Sequence, residues 1–109
     1  MSRFNQSPEF EKELKKLSKK YRSLPKDIKD LEEVLVTSPT GIGKNFTIVH
    51  SGESVKIVKA RLACESLHDR TIRIVYAYHD STFEFMYIEI YFKGDKENED
   101  RQRILRNFN

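Results

Sequence analysis

Apolar residues in the first third of the chain recur at the spacing of helices. Ser7 followed by Pro8 is typical of an N-cap and the first helical residue. The first apolar stripe consists of Phe10, Leu14, Leu17 and Tyr21. Pro25 begins a second helix, and Pro39 and Gly41 end it. The second stripe consists of Ile28, Leu31, Val34 and Leu35. The short link between the two stripes predicts a helical hairpin.

After Gly41 the period changes to that of strands. The predicted strands are Phe46–Val49, Val55–Ala63, Ile72–His79 and Phe83–Phe92. The turn Asp80-Ser81-Thr82 is short enough to join the last two as an antiparallel hairpin. Met1–Phe4 is a candidate edge strand, and Asn98 is a candidate cap for a closing helix that ends at Phe108.

The order of these elements predicts an α+β fold. We expect the helical hairpin to pack on one face of a small antiparallel sheet, followed by a short C-terminal helix. A chain of 109 residues fits one domain that spans residues 1–109.

Alternation assigns the strand residues to two faces of the sheet, because successive side chains point to opposite sides. The face expected to pack on the helices carries Val58, Ala60, Leu62, Ile72, Ile74, Tyr76, Met86, Ile88, Ile90 and Phe92. The opposite face carries Lys59, Arg61, Arg73, Glu89, Tyr91 and Lys93. This opposite face is therefore predicted to be solvated, net positive and partly aromatic.

The charge distribution points to the same part of the chain. The formal net charge is +3 and the pI is about 9.0. Between Ser38 and Arg73 the chain has six Lys or Arg residues, Lys56 among them, against three acidic residues. Such an excess favours phosphate backbones or an acidic protein segment as a partner.

Cysteine and histidine content narrows the class of protein. The single cysteine, Cys64, cannot form an internal disulfide, and the sequence shows no signal peptide or long apolar run. Both features predict a cytoplasmic protein that does not associate with membranes. Three scattered histidines and one cysteine lack the paired spacing of a zinc site, so we expect neither a metal nor another cofactor.

The strand motifs resemble those of the RelE/ParE superfamily of bacterial toxins, in particular RelE-like toxins of type II toxin–antitoxin modules. The motifs are Lys59-Ala-Arg61-Leu, Ile72-Arg73-Ile-Val-Tyr76 and Ile90-Tyr91-Phe-Lys93, and they follow the two helices. The resemblance covers the chain from Phe10 to about Arg103. It implies an endoribonuclease (an mRNA interferase) that acts on mRNA at the ribosome and is held inactive by a cognate antitoxin.

The resemblance also implies roles for single residues. Lys59, Arg61 and Arg73 match basic positions that bind and polarise the scissile phosphate, and Lys93 matches a basic position after the last strand. We therefore expect Arg61 and Arg73 to clamp the phosphate. The predicted RNA-binding set is Lys56, Lys59, Arg61 and Lys93.

RNA can be cleaved without a metal because its 2′-hydroxyl is a built-in nucleophile, which leaves two proton transfers for the protein to assist. Glu89 and Tyr91 are the predicted candidates for this task, with His79 as a weaker one. Glu89 has an alternative role as the ion-pair partner of Arg61 or Arg73, and Tyr91 as a packing residue at the end of a strand.

The sequence departs from the RNA-cleaving pattern after Lys93. Gly94 and an acidic run from Asp95 to Asp100 follow, without a Tyr or His in the tail. This departure keeps two alternatives open. One is a non-catalytic, ParE-like toxin that binds DNA gyrase, and the other is an inactive relative that only binds an antitoxin.

Overall fold

The computed structural model describes residues 3 to 108, with side chains up to residue 106. In chain order the elements are β1 (Phe4–Gln6), α1 (Pro8–Lys20), α2 (Leu24–Thr37), β2 (Phe46–Ser51), β3 (Val55–Cys64), β4 (Asp69–His79), β5 (Glu84–Phe92) and α3 (Arg101–Phe108). The predicted α+β architecture, with two N-terminal helices and a short C-terminal helix, is confirmed.

The five strands form one mixed sheet in the order β1-β5-β4-β3-β2. Strands β2 to β5 pair antiparallel in sequence order, as expected, but β1 pairs parallel to β5, with Phe4 opposite Phe85. The prediction of a purely antiparallel sheet was therefore wrong. Of the predicted edge strand Met1–Phe4, Met1 and Ser2 lie outside the described residues, and the observed strand starts at Phe4.

Local sequence signals account for the two N-terminal helices. The Ser7 side chain accepts a hydrogen bond from the Phe10 N–H at 3.2 Å, which is the predicted N-cap, and acidic and basic residues occupy the first and last turns of α1. In α2 the predicted stripe is correct except for Val34, which is 39% exposed. Leu24, one turn before Ile28, takes the buried place instead.

Both helices pack on the same face of the sheet, here called the helix face. Its core joins apolar residues of α1 and α2 to inward residues of β3, β4 and β5. Aromatic rings extend the packing: Phe10 stacks on Tyr87 at a centroid distance of 5.0 Å, and Phe4 on Phe85 at 4.5 Å. Such stacking adds to the gain from apolar burial.

A β-bulge in β5 changes which residues reach the other face, here called the second face. The register steps from Val75 opposite Glu89 to Tyr76 opposite Tyr87, so that Ile88 is an extra residue. As a result, Met86 and Ile88 pack in the second-face cluster, together with Val75, and not against the helices as predicted. The predicted helix-face positions of Ile90 and Phe92 are correct, because they follow the bulge.

The second face, predicted to be solvated, is covered in part by α3. Ile104 of α3 is buried against Val75 and Ile88. Asn98 does not cap this helix; Asp100 does, accepting a hydrogen bond from the Arg103 N–H at 3.1 Å. The helix also docks through Arg103, which donates to Glu13 of α1 at 2.8 Å.

Candidate functional site

The predicted site residues of the three central strands lie together on the second face. Arg61, Arg73 and Tyr91 occupy directly opposed positions of β3, β4 and β5 and form one row across the sheet. Lys59 and Glu89 lie in the next row, on either side of the same β4 residue. Strand pairing therefore brings five of the predicted residues into two adjacent rows.

Arg61 and Arg73 carry the positive charge on this face that is least neutralised by nearby carboxylates. Arg61 is exposed and Arg73 half-buried. Burial and the neighbouring Arg61 lower the pKa of the Arg73 guanidinium, against the opposing effects of Tyr91 and Asp69. Within residues 3–108 neither guanidinium lies within ion-pair distance of a carboxylate, and Arg73 donates to the backbone carbonyl of Arg70. Like charges in directly opposed positions destabilise a sheet, so this row is suited to a bound anion.

Lys59 is already paired within the chain. Its ammonium lies 2.9 Å from Oε1 of Glu99, in the segment that leads into α3. Glu99 is 12% exposed on its side chain, which makes this a partly buried ion pair. Lys59 therefore contributes less free positive charge to the face than its sequence position suggested.

Glu89 is fully buried and satisfied by the same segment. One of its carboxylate oxygens accepts a hydrogen bond from the Asp100 N–H at 2.8 Å, and the other pairs with the Lys96 ammonium. The expected ion pair with Arg61 or Arg73 does not form. With both oxygens occupied, Glu89 is poorly placed to transfer a proton to or from a substrate.

Tyr91 lies beside Arg73 and is 6% exposed. Its hydroxyl has no hydrogen-bond partner among the described residues. Burial, followed by the nearby Glu99 and Glu89, raises the pKa of Tyr91 to about 12, while Arg73 acts in the opposite direction. The group is therefore a neutral phenol near neutral pH, able to donate a proton but not to accept one.

Three other predicted residues lie apart from the two rows. Lys93 follows β5 and donates to the Glu97 carbonyl at 2.8 Å. Lys56 alternates to the helix face, opposite Tyr78, and its ammonium is 3.9 Å from Asp80. His79 ends β4, six residues and about 20 Å beyond Arg73. The structure therefore does not bring Lys56 or His79 to the arginine pair.

The residues that sequence reasoning missed come from the segment after β5. Lys96, Glu99 and Asp100 all contact charged or buried side chains of the second face. In the sequence this acidic run predicted only a departure from the RNA-cleaving pattern and, at Asn98, a helix cap. The excess of basic residues on β3 was the signal in the sequence that this acidic run could fold back and pair with that strand.

Two cavities border the site at different places. The larger, of about 750 Å³, lies between α2, β2 and the β3–β4 turn and reaches only Arg61 of the two rows. The smaller, of about 490 Å³, lies between β2 and α3 and shares Glu99 with the Lys59 ion pair. The smaller cavity borders the second-face cluster through Val49 and Ile104.

Comparison with models of known protein families and with curated proteins finds no match to this chain. No helix within residues 3–108 has the length and apolar character needed to cross a bilayer. In the described part of the chain, no three His, Cys, Asp or Glu side chains are grouped so as to hold a metal ion.

Proposed function

We propose that the protein is a RelE-like toxin of a type II toxin–antitoxin module, which cleaves mRNA through the 2′-hydroxyl of the substrate. The observation that supports this proposal is the row Arg61–Arg73–Tyr91 on the second face. Two guanidinium groups without a carboxylate partner, next to a buried phenol, match the needs of a phosphate whose negative charge increases during reaction.

In the proposed reaction the 2′-oxygen attacks phosphorus and the bond to the 5′-oxygen breaks, which leaves a 2′,3′-cyclic phosphate and a 5′-hydroxyl. Arg61 and Arg73 hold the non-bridging oxygens, for which the planar fork of donors of arginine is suited. Tyr91 protonates the departing 5′-oxygen, since its phenol keeps its proton at neutral pH. The proton of the 2′-hydroxyl passes to water, because Glu89 and Glu99 are both paired with lysines. The Tyr91 phenolate then takes a proton back from water, which restores the phenol for the next reaction.

The proposal includes a cognate antitoxin as the protein partner. The uncompensated arginine pair needs a counter-charge when no RNA is bound, and an acidic segment of a partner supplies one. Binding through this face weakens as salt rises, because exposed charge pairs are screened. A complex whose affinity is insensitive to salt would indicate an apolar interface elsewhere on the molecule.

A second candidate function is a non-catalytic member of the same superfamily, either a ParE-like gyrase-binding toxin or an antitoxin-binding relative. The pairing of Glu89 with Lys96 and the Asp100 N–H favours it, because it removes the carboxylate best placed on β5 to act as a base. In this alternative the arginine row binds an acidic protein surface instead of RNA.

Expression under tight induction, followed by primer extension on cellular mRNA, separates the two candidates. We expect growth arrest and discrete new 5′ ends for the parent. Arg73→Ala should reduce cleavage about a hundredfold and Arg73→Lys should recover only part of this, since a point charge cannot reproduce a bidentate fork. Arg22→Ala, an exposed arginine in the link between α1 and α2, is the matched control and should cleave like the parent.

Growth arrest without new 5′ ends would select the non-catalytic toxin. Normal growth with abundant folded protein would select the antitoxin-binding relative. If Arg73→Ala produced the same 5′ ends as the parent at the same rate, the assignment of the phosphate clamp would be wrong.

A further inference from the structure

The smaller cavity forms a pocket between β2 and α3 that is separate from the arginine row. It is lined by Val49, His50, Glu99, Arg101, Ile104 and Leu105. Its volume of about 490 Å³ lies within the range typical of small-molecule sites. His50 pairs with Ile57 of β3, four residues before Arg61, so the pocket is about 13 Å from the arginine pair along that strand.

The walls of this pocket combine three apolar residues with three polar or charged ones. Val49, Ile104 and Leu105 supply the apolar part, and Leu105 is 54% exposed although it is a large aliphatic residue. Glu99, His50 and Arg101 supply an acceptor, an imidazole and a cation. A nucleobase matches this lining, because it is a heteroaromatic ring with an apolar face and a polar edge.

The orientation of Glu99 is fixed by the sheet. Lys59 holds Oε1 at 2.9 Å, and partial burial limits the side chain's freedom. Although burial acts to raise it, the hydrogen bonds from Lys59 and from the backbone lower the pKa of Glu99 below its ordinary value. The carboxylate is therefore ionised at neutral pH and can only accept hydrogen bonds. In this arrangement Lys59 orients Glu99.

We propose that this pocket binds one base of the RNA strand next to the cleaved phosphate, and that Glu99 selects guanine there. The inference rests on the proposed function for its RNA substrate. In this proposal the β2–α3 pocket provides the sequence specificity, which the arginine row does not provide. Glu99 is the specificity-determining residue, and Lys59 is its positioning residue.

The preference for guanine follows from the edges of the four bases. Guanine presents two adjacent donors, the N1–H and the exocyclic amine, which suit a carboxylate. Adenine and cytosine each place an acceptor beside their amine, and uracil flanks its single N–H with two carbonyl oxygens. An ionised carboxylate repels those acceptors, and a polar group left unpaired in a partly buried site is costly.

The test measures binding of four nucleoside 5′-monophosphates by NMR titration of the folded protein. We expect guanosine monophosphate to bind about tenfold or more tightly than the other three, with shifts at Val49, His50, Glu99 and Leu105. Inosine monophosphate, which lacks the exocyclic amine, should lose most of this advantage. Glu99→Gln, which keeps an acceptor for Lys59, should reduce the preference to about threefold or less.

A filled-pocket variant makes the test independent of Glu99. Leu105→Trp places an indole at the mouth of the pocket and should abolish nucleotide binding, whereas Ile42→Trp, at a residue 70% exposed and outside this pocket, should not. Equal binding of all four nucleotides, or shifts confined to other regions, would overturn the pocket assignment. The same holds if Glu99→Gln and Leu105→Trp both bind like the parent.

The failure of this inference is distinguishable from failure of the proposed function. Cleavage of RNA without guanine preference in the sequence around the cut would remove the pocket assignment and leave the nuclease intact. Selective guanosine monophosphate binding without cleavage of any RNA would keep the pocket and remove the nuclease.

Discussion

The two faces of the sheet are built from the same three strands but differ in how they are covered and in how many charged side chains they carry. The helix face is covered by two helices of 13 and 14 residues, and its polar groups sit at the margin, such as the Tyr76 hydroxyl, which donates to the Pro39 carbonyl at 2.8 Å. The second face is covered by a helix of eight residues. Its remaining area carries charged side chains, one of which, Glu89, is fully buried.

This difference separates the residues that stabilise the protein from those available for binding. An apolar face gains stability with every buried methylene, whereas a buried carboxylate gains nothing unless it is paired and hydrogen-bonded. Like-charged arginines in opposed positions cost stability. Glu89 is paired and hydrogen-bonded, whereas the arginine pair brings no such gain in folding, which makes that pair the part of the second face proposed for binding.

The largest expected contrast compares sequence neighbours that point to opposite faces. Ile74 is completely buried on the helix face, and Ile74→Ala should lower the free energy of unfolding by about 2–5 kcal/mol, because it leaves a cavity. Arg73→Ala should change it by no more than about 0.5 kcal/mol, since the lost contacts are offset by relief of repulsion from Arg61. Urea unfolding of both variants measures the two effects.

A decrease of more than about 1 kcal/mol in the free energy of unfolding of Arg73→Ala would contradict this contrast between the faces, because surface charges seldom contribute that much. Arg73 would then be a structural residue that holds the turn through the Arg70 carbonyl. A mild Ile74→Ala would instead show that the helix face can collapse around a missing side chain.

A second effect, of about 3 kcal/mol, is expected where the second face buries a charge. Lys96→Met removes the ammonium that pairs with Glu89 and leaves a fully buried carboxylate with the Asp100 N–H as its hydrogen-bond donor and Arg103 as a more distant positive charge. Breaking a buried pair from one side is strongly destabilising, and the 39% exposure of Lys96 keeps the expected loss at the low end of the usual range. Thermal and urea unfolding measure the change.

The matched control is Lys26→Met, which removes a lysine from the exposed pair with Asp30 on α2. It should melt at the same temperature as the parent. The double variant Lys96→Met with Glu89→Gln should recover part of the loss, because the amide needs no counter-charge. Equal stability of Lys96→Met and Lys26→Met would mean that the pair of Lys96 with Glu89 contributes no more to stability than an exposed ion pair does.

The parts of the fold that could be predicted are those set by neighbouring residues. The Ser7 cap and the stripe of α1 depend on contacts within a few residues, and Arg61 and Arg73 share a face because alternation runs unbroken across that part of β3 and β4. Alternation also places Lys56 on the opposite face from Lys59. Its charge suggested Lys56 as an RNA-binding residue, but its position in β3 points it away from the arginine pair.

The parts that could not be predicted depend on long-range contacts or on a single inserted residue. The extra residue Ile88 has no signature in the sequence, yet it moves Met86 to the second face. The parallel pairing of β1 joins Phe4 to Phe85 across most of the chain. The ion pair of Glu99 with Lys59 likewise spans 40 positions, so only the folded chain reveals that the basic face is partly neutralised.

The smallest expected effect is the release of α3 from the second face by acid. Asp100 caps the helix, and its hydrogen bond with the Arg103 N–H lowers the pKa of its carboxyl. The pKa of Glu99, paired with Lys59, is lowered as well. Both groups therefore contribute stability that is present above the ordinary carboxyl pKa of about 4 and lost as pH falls below it.

Amide hydrogen exchange near pH 7 and near pH 3 measures this loss. At pH 7 the amides of α3 should already exchange faster than those of β5, since so short a helix depends on docking. On acidification the exchange protection of the α3 amides should fall by no more than about 1 kcal/mol, while that of the β5 amides stays unchanged. This limit is the usual contribution of one helix cap, reduced because the cap is exposed to solvent. Asp100→Asn is the control, because asparagine caps as well but does not titrate. If Asp100→Asn lost as much protection of α3 as the parent over the same pH range, the release would come from the Glu99–Lys59 pair and not from the helix cap.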